Sequence, residues 1–233
     1  MNRRRALAVM GTIGFGGLAG CLGEEMEYTA SPARIPGATE MGYDEDGPQD
    51  IEFDETIEFG GVEQDVHIRT WSAAYADPDS ESAVFVFSTP DVSVAGISAN
   101  PLARLSGADL LARVIDEGLG AADFDGGIRE IEAEDEREVT VLGDSRELQV
   151  FTAIFETDDA ELAGQDGEVP IRLYLLSFIH EDDVIFSVGF QPDAAEIAEE
   201  MNGDEFADEA DEEVEETADE IESLMAAIEH PAE

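Results

Sequence analysis

Cys21 is the residue whose neighbours point most directly to a chemistry. It is the only cysteine in 233 residues, so no intrachain disulfide can form. It closes the tetrapeptide Leu18-Ala19-Gly20-Cys21, a lipobox, in which a thiol is alkylated with a lipid and the peptide bond before it is then cut. The step needs a thiolate as nucleophile, and small residues at 19 and 20 let a peptidase grip the backbone. Upstream lie Arg3-Arg4-Arg5 and an apolar, glycine-containing run from Ala6 to Gly20. A charged start, a short apolar stretch and small residues at the cut define a secretory signal. The run falls short of the ~20 apolar residues that a spanning helix needs. Residues 1–20 are therefore expected to be a signal peptide. Arg4-Arg5-Ala6-Leu7 fits the twin-arginine pattern read by an export route for folded proteins.

Other chemistry-bearing patterns are sparse. The three histidines, His67, His180 and His230, share no metal-binding spacing. A zinc site would need them to converge with carboxylates from distant segments. Gly96-Ile97-Ser98 and Gly143-Asp144-Ser145 lack the rest of a nucleophile elbow. There is no Walker loop, and with no lysine in the chain the phosphate-gripping residue of that loop is missing. The acidic stretches Asp44-Glu45-Asp46-Gly47 and Asp123-Phe124-Asp125-Gly126-Gly127 read as turns, since neither continues into a calcium loop. No cofactor and no metal is expected, and no catalytic residue is assigned.

Charge limits the partners further. The formal net charge is −47, with 58 acidic residues against 11 arginines. Three of those arginines would leave with the signal peptide. Self-repulsion on this scale opposes a compact state, but molar salt shortens the Debye length to ~3 Å and screens it. The composition therefore points to a protein of brine. It also excludes nucleic acid, because no basic surface exists to neutralise phosphates. Membrane contact is left to the lipid at Cys21.

The elements that would position any site follow from periodicity. Leu22 to Asp50 carries Pro32, Pro36, Pro48 and several glycines and acids; residues 21–50 read as a lipidated N-terminus and acidic tether, with a short edge strand from Glu27 to Ala30 as an option. Residues 51–233 read as one domain. Ile51, Phe53, Ile57 and Phe59 share one strand parity, Gly60-Gly61 supplies a turn, and Val62 to Tyr75 returns. Ala83 to Phe87 reads as a central strand. Ser106 caps a helix bearing Leu110, Leu111, Val114 and Ile115. Further strands run through Ile128–Glu134, Glu138–Leu142 and Glu147–Glu156, and a hairpin joins Val169–His180 to Val184–Gln191. Val214, Ala218, Ile221, Leu224, Met225 and Ile228 mark an amphipathic C-terminal helix whose other face is carboxylate. The expected class is α+β: a twisted, mainly antiparallel sheet with helices packed on a face, including that long acidic helix.

Several segments together resemble a family of haloarchaeal lipoproteins of unknown function. They are the arginine-rich start, Leu18 to Cys21, Trp71 to Tyr75, Phe87-Ser88-Thr89-Pro90, Asn100-Pro101-Leu102 with Ser106, and Val141-Leu142-Gly143. The element order resembles, more loosely, the PsbP/Mog1-like α+β sandwiches, which are mostly accessory or binding domains. The resemblance implies a haloarchaeal source and a lipid-anchored domain on the extracellular face of the cell membrane. The expected function is a non-enzymatic binding or accessory module whose partner is a membrane or surface-layer protein. Its contact region is expected in the loop holding Ser88, Thr89, Pro90, Asn100 and Pro101. The alternatives are an extracellular hydrolase with a dispersed His/carboxylate site and a purely structural envelope component.

Overall fold

A computed structural model describes residues 26–59, 62–91, 93–94, 97–98, 107–112, 126–157, 167–197 and 207–232. The strands are β1 (Met26–Thr29), β2 (Asp44–Phe59), β3 (Val62–Asp77), β4 (Ser82–Pro90), β5 (Ser93–Val94), β6 (Ile97–Ser98), β7 (Gly126–Val141), β8 (Asp144–Thr157), β9 (Glu168–His180) and β10 (Asp183–Pro192). Eight of them form one sheet in the order β1-β3-β4-β10-β9-β8-β7, with β2 on the other edge of β3. β5 and β6 pair with each other. One long helix, α1 (Ala207–Ala226), follows.

The expected α+β class is corrected by this arrangement. Among the described residues strand makes up 61% and helix 22%, and the organising element is a single large mixed sheet. Among the described residues the one parallel pair is β1 with β3, in the register Met26↔Val66 to Thr29↔Arg69. No crossover from the segment near Ser106 produces it. β1 and β4 share one edge of β3 end to end: β1 lies beside residues 66–69 and β4 beside residues 71–77.

The start of the domain is also corrected. Residues 26–50 belong to the fold and are not a tether. β1 joins the sheet, Ile35 and Tyr43 are among the largest fully buried side chains, and Ala33 and Ala38 lie in the same core. The Ile35 amide donates to the Tyr75 hydroxyl at 2.7 Å, and the Tyr43 and Ser82 hydroxyls bond at 2.9 Å. Prolines and glycines suggested a linker, but the apolar residues between them are buried. Asp44 to Gly47 is likewise strand. Gly47 sits beside a register shift of β2, at φ 120°, where a Cβ would lie 2.9 Å from the Ala73 Cα. That close backbone approach admits only glycine.

Strand parity then divides the core between the two faces of the sheet. On one face Tyr75, Val84, Val86, Leu148, Tyr174, Leu176 and Ile185 meet Ala218, Ile221, Leu224 and Met225 of α1. On the other, Phe151, Phe155, Leu173, Phe186 and Val188 meet Leu110 and Leu111 of a short helical stretch, residues 107–112. β9 and β10 are buried on both faces, so their sequences are nearly continuous apolar runs. The two outer edges are β2 and β7, and both are rich in carboxylates. β7 is a single strand across Gly126–Val141 with two register shifts, where two separate strands were expected. Charge and bulges on an edge discourage pairing with another chain.

Candidate functional site

The densest set of chemistry-bearing side chains lies at one end of the sheet, where β4 ends and β9 turns into β10. Glu181 and Asp182 form that turn, both at positive φ. A two-residue connection with both residues left-handed is the turn type that matches strand twist. Asp183, expected in the turn, is the first residue of β10 and is buried. Opposite it is Pro90, with Ser88 two residues further along β4. His180 is its partner on β9.

The C-terminal segment brings His230 onto this end. Residues 30–35 and 228–232 run together: the Arg34 and Glu229 backbones exchange two hydrogen bonds (3.1 and 2.8 Å), and the Ala232 amide donates to the Pro32 carbonyl at 2.8 Å. The His230 side chain is fully buried, and Asp183 is 8% exposed. His230 Nε2 lies 3.1 Å from Asp183 Oδ2, which also accepts from the Ser31 amide at 2.8 Å. Ser88 Oγ is 3.4 Å from the same Nε2. On the far side of the ring, His230 Nδ1 is 3.1 Å from His180 Nδ1, with the two rings edge to face. A proton on Nε2 serves the carboxylate, so Nδ1 of a neutral His230 accepts and His180 donates.

Ser, His and Asp side chains in contact invite comparison with an acyl-transfer triad. The wiring differs. A triad needs the carboxylate on one ring nitrogen and the nucleophile on the other; here both approach Nε2, and Nδ1 is taken by a second histidine. Ser88 is also fully buried, so its oxygen meets no substrate. The cluster can hold segments together: it ties residue 31, β4, the β9–β10 turn and residue 230 at one point. Buried polar groups are tolerated when they satisfy one another in this way.

The expected contact loop is corrected by the same observations. Ser88, Thr89 and Pro90 are the last residues of β4 and are buried. All three pair with β10, and Ser88 also pairs with Trp71 of β3. Their polar atoms turn inward; Thr70 Oγ1, for example, donates to Thr89 Oγ1 at 3.2 Å. Asn100, Pro101, Cys21, Arg4, Arg5, Leu18, Ala19 and Gly20 lie outside the described residues, as do Gly60-Gly61, Ser106 and Asp123 to Asp125.

His67 stands apart from the other histidines. It projects from β3 with its Nδ1 2.8 Å from Asp54 Oδ1 and its Nε2 3.7 Å from Glu52. The bond to Asp54 raises its pKa above the ordinary imidazole value. Arg69, two residues on, pairs with Glu52 and lies 3.8 Å from Asp50. Arginines elsewhere are similarly surrounded. Arg172 reaches Asp193 at 2.9 Å and Glu215 at 3.4 Å, and Arg137 holds Asp135 and Glu222. Burial raises the Tyr174 hydroxyl pKa well above its usual range; that hydroxyl accepts from Gln191 at 2.9 Å. Among the described residues no group of three His, Cys, Asp or Glu side chains could hold a metal ion.

The buried cluster was not visible in the sequence, because residues 31, 88, 180, 183 and 230 have no common spacing. Comparison with known families places the chain. A model described as a domain of unknown function, DUF6517, matches residues 32–229. The chain belongs to this family. The DUF6517 match starts and ends within the paired segments around Arg34 and Glu229, so it includes residues 32–50 of the stretch read as a tether. No curated protein matches the chain.

Proposed function

We propose that this DUF6517 protein is a lipid-anchored lipoprotein on the extracellular face of a halophilic archaeon's membrane. There it would act as a non-enzymatic binding or accessory module for a membrane or surface-layer protein. The observation that carries the reading is Leu18-Ala19-Gly20-Cys21 behind an arginine-headed apolar run, with Cys21 the sole thiol. Two acyl or prenyl-type chains give stable anchoring where one is marginal. The acidic surface, with no lysine and few arginines, favours brine.

The buried Ser88–His230–Asp183 contact joins Ser and Asp to the same ring nitrogen, so this cluster does not favour the alternative of a hydrolase with a dispersed site. The test is Cys21→Ser in a halophilic host, followed by membrane fractionation and gel mobility. The variant should stay unprocessed or leave the membrane fraction. Unchanged size and retention would reject lipidation.

A further inference from the structure

We propose that His180 and His230 form a proton-operated latch. The pair holds the segments around Arg34 and Glu229 together while its facing nitrogens share one hydrogen, and releases them when both rings are charged. The inference rests on the buried cluster alone and holds with or without a lipid at Cys21. The facing nitrogens are the two Nδ1 atoms, 3.1 Å apart. A hydrogen bond of that length needs a donor at one end and a bare acceptor at the other. The four ring nitrogens together can therefore carry three hydrogens and not four. Three hydrogens give the pair one positive charge, and the Asp183 carboxylate, 3.1 Å from His230 Nε2, balances it.

A fourth hydrogen has no place in the closed arrangement. Two N–H bonds aimed at each other across 3.1 Å would leave their hydrogens about 1 Å apart. The His230 side chain is 0% exposed, so water does not reach a second charge there, and an unpaired buried charge is costly. Ser88 Oγ approaches the ring at Nε2, not at Nδ1. The other charged groups on the elements that meet here are Glu181 and Asp182 of the turn and Asp91 after β4, whose amide donates to the Asp182 carbonyl. Arg146 of β8 lies over the Phe178 ring of β9 and pairs with Asp144, and Arg34 pairs with Glu229. No acceptor of theirs fits between two nitrogens already in contact.

Opening the pair lets the second ring take its proton, so in acid the open form binds one proton more than the closed form. The closed form then loses stability as pH falls, by at most about tenfold per pH unit for one proton. The loss begins near ~6.5, where free imidazole titrates. What the latch releases follows from the chain. His230 adjoins Glu229, whose backbone exchanges two hydrogen bonds with Arg34, and it lies two residues before Ala232, whose amide donates to Pro32. His180 and Asp183 stay with the β9–β10 hairpin, whose ladder runs from Asp183↔His180 to Pro192↔Ile171. The part that loosens is thus the pairing of the two segments, while the sheet remains.

The experiment uses the full chain, labelled with nitrogen-15 in a halophilic host and kept at molar salt. Amide hydrogen exchange is followed by NMR between about pH 8 and pH 5 and corrected for its intrinsic pH dependence. Protection of the Arg34 and Glu229 amides should fall by up to about tenfold per pH unit below ~6.5, while that of Val188 in β10 holds. His180→Asn supplies a neutral side chain that can donate or accept at the same point, so protection at Arg34 and Glu229 should stay level over this range. His67 lies on β3 and is common to both proteins, so its titration cancels. The same acid loss in His180→Asn overturns the latch and moves the effect to Asp183. Protection that stays level in the wild type overturns it as well. The imidazole nitrogen-15 shifts give a test that needs no variant: a clasp still closed with both Nδ1 atoms of His180 and His230 protonated refutes the proposal outright.

Discussion

Gly189 on β10 sets how closely α1 can approach the sheet. A Cβ built there would lie 2.5 Å from Ile221 Cγ2 and 3.2 Å from the Tyr174 Cβ and Cδ2. Carbon atoms in contact prefer about 3.5–4.0 Å, so Gly189→Ala forces the helix and sheet apart by about 1 Å. Tyr174 and Ile221 are both fully buried, which leaves neither a free direction to move. Overpacking of this kind costs about 1–3 kcal/mol, against a gain of about 0.5–1 kcal/mol from replacing a glycine inside a strand. The net loss should be about 1–2 kcal/mol, which for a chain of this size lowers Tm by about 2–8 °C. Thermal unfolding at molar salt, followed by circular dichroism, measures it. Ile221→Ala removes the clashing methyl and costs about 2–5 kcal/mol alone through the cavity it leaves. In the double variant the new Cβ fills part of that cavity, so the two losses should sum to less than their separate values. A Tm for Gly189→Ala equal to or above wild type, or strict additivity in the double variant, would refute the packing of α1 described above.

Two further outcomes follow from the hydrogen bonding. Asp183→Ala removes the acceptor of both the Ser31 amide and His230 Nε2, which should cost about 1.5–3 kcal/mol. Hydrogen exchange should quicken first at Ser31, Arg34 and Glu229; unchanged protection there would contradict the clasp. His67 should titrate above 6.5 in proton NMR, with Asp54→Asn bringing it back toward that value. Because the folded pKa is raised, the bond to Asp54 stabilises fully below the unfolded value and fades as pH rises through the folded one. The stability gap between wild type and Asp54→Asn should therefore shrink with rising pH, and a gap that widens would reverse the argument.

The local elements were legible because their residues carry their own pattern. Val169 to His180 and Val184 to Gln191 read as a hairpin from apolar runs broken by Glu181-Asp182-Asp183, and β9 and β10 pair as one. What failed was the reading of polar and turn-forming residues as surface. Ser88-Thr89-Pro90 looks like a loop, yet it is the buried end of a strand paired with β10. Pro32, Pro36 and Pro48 look like a linker, yet Ile35 and Tyr43 between them fill the core. In each case the deciding partners are far away in sequence: Ser88 meets His230, and Ile35 meets Tyr75. The class failed for a related reason. One mainly antiparallel sheet was expected, but its strands run longer than the pattern suggested: β2 reaches back to Asp44 and β7 is continuous from Gly126 to Val141, so strand outweighs helix among the described residues. The cluster of Ser31, Ser88, His180, Asp183 and His230 was invisible on the same grounds, since every contact in it except His180 with Asp183 spans a long loop of chain.

Joining the ends of the chain has a mechanical consequence once Cys21 is taken as the anchor. Any pull between membrane and domain enters at β1, which has only four residues in register with β3. Parallel pairing of so short a strand resists little by itself. Immediately after it, the Ala30 amide donates to the Arg69 carbonyl and the Ala30 carbonyl accepts from the Trp71 indole. Ser31 then binds Asp183, and Arg34 pairs with Glu229. The load thus passes from β1 to the central strand β10 and to the segment that follows α1, rather than to the edge of the sheet alone. A buried Asp183–His230 contact suits this task in brine, because burial shields it from the salt that weakens surface pairs. The Ser-His-Asp contact that first resembled a catalytic device thus fastens the first and last described segments of the fold to β4 and β10.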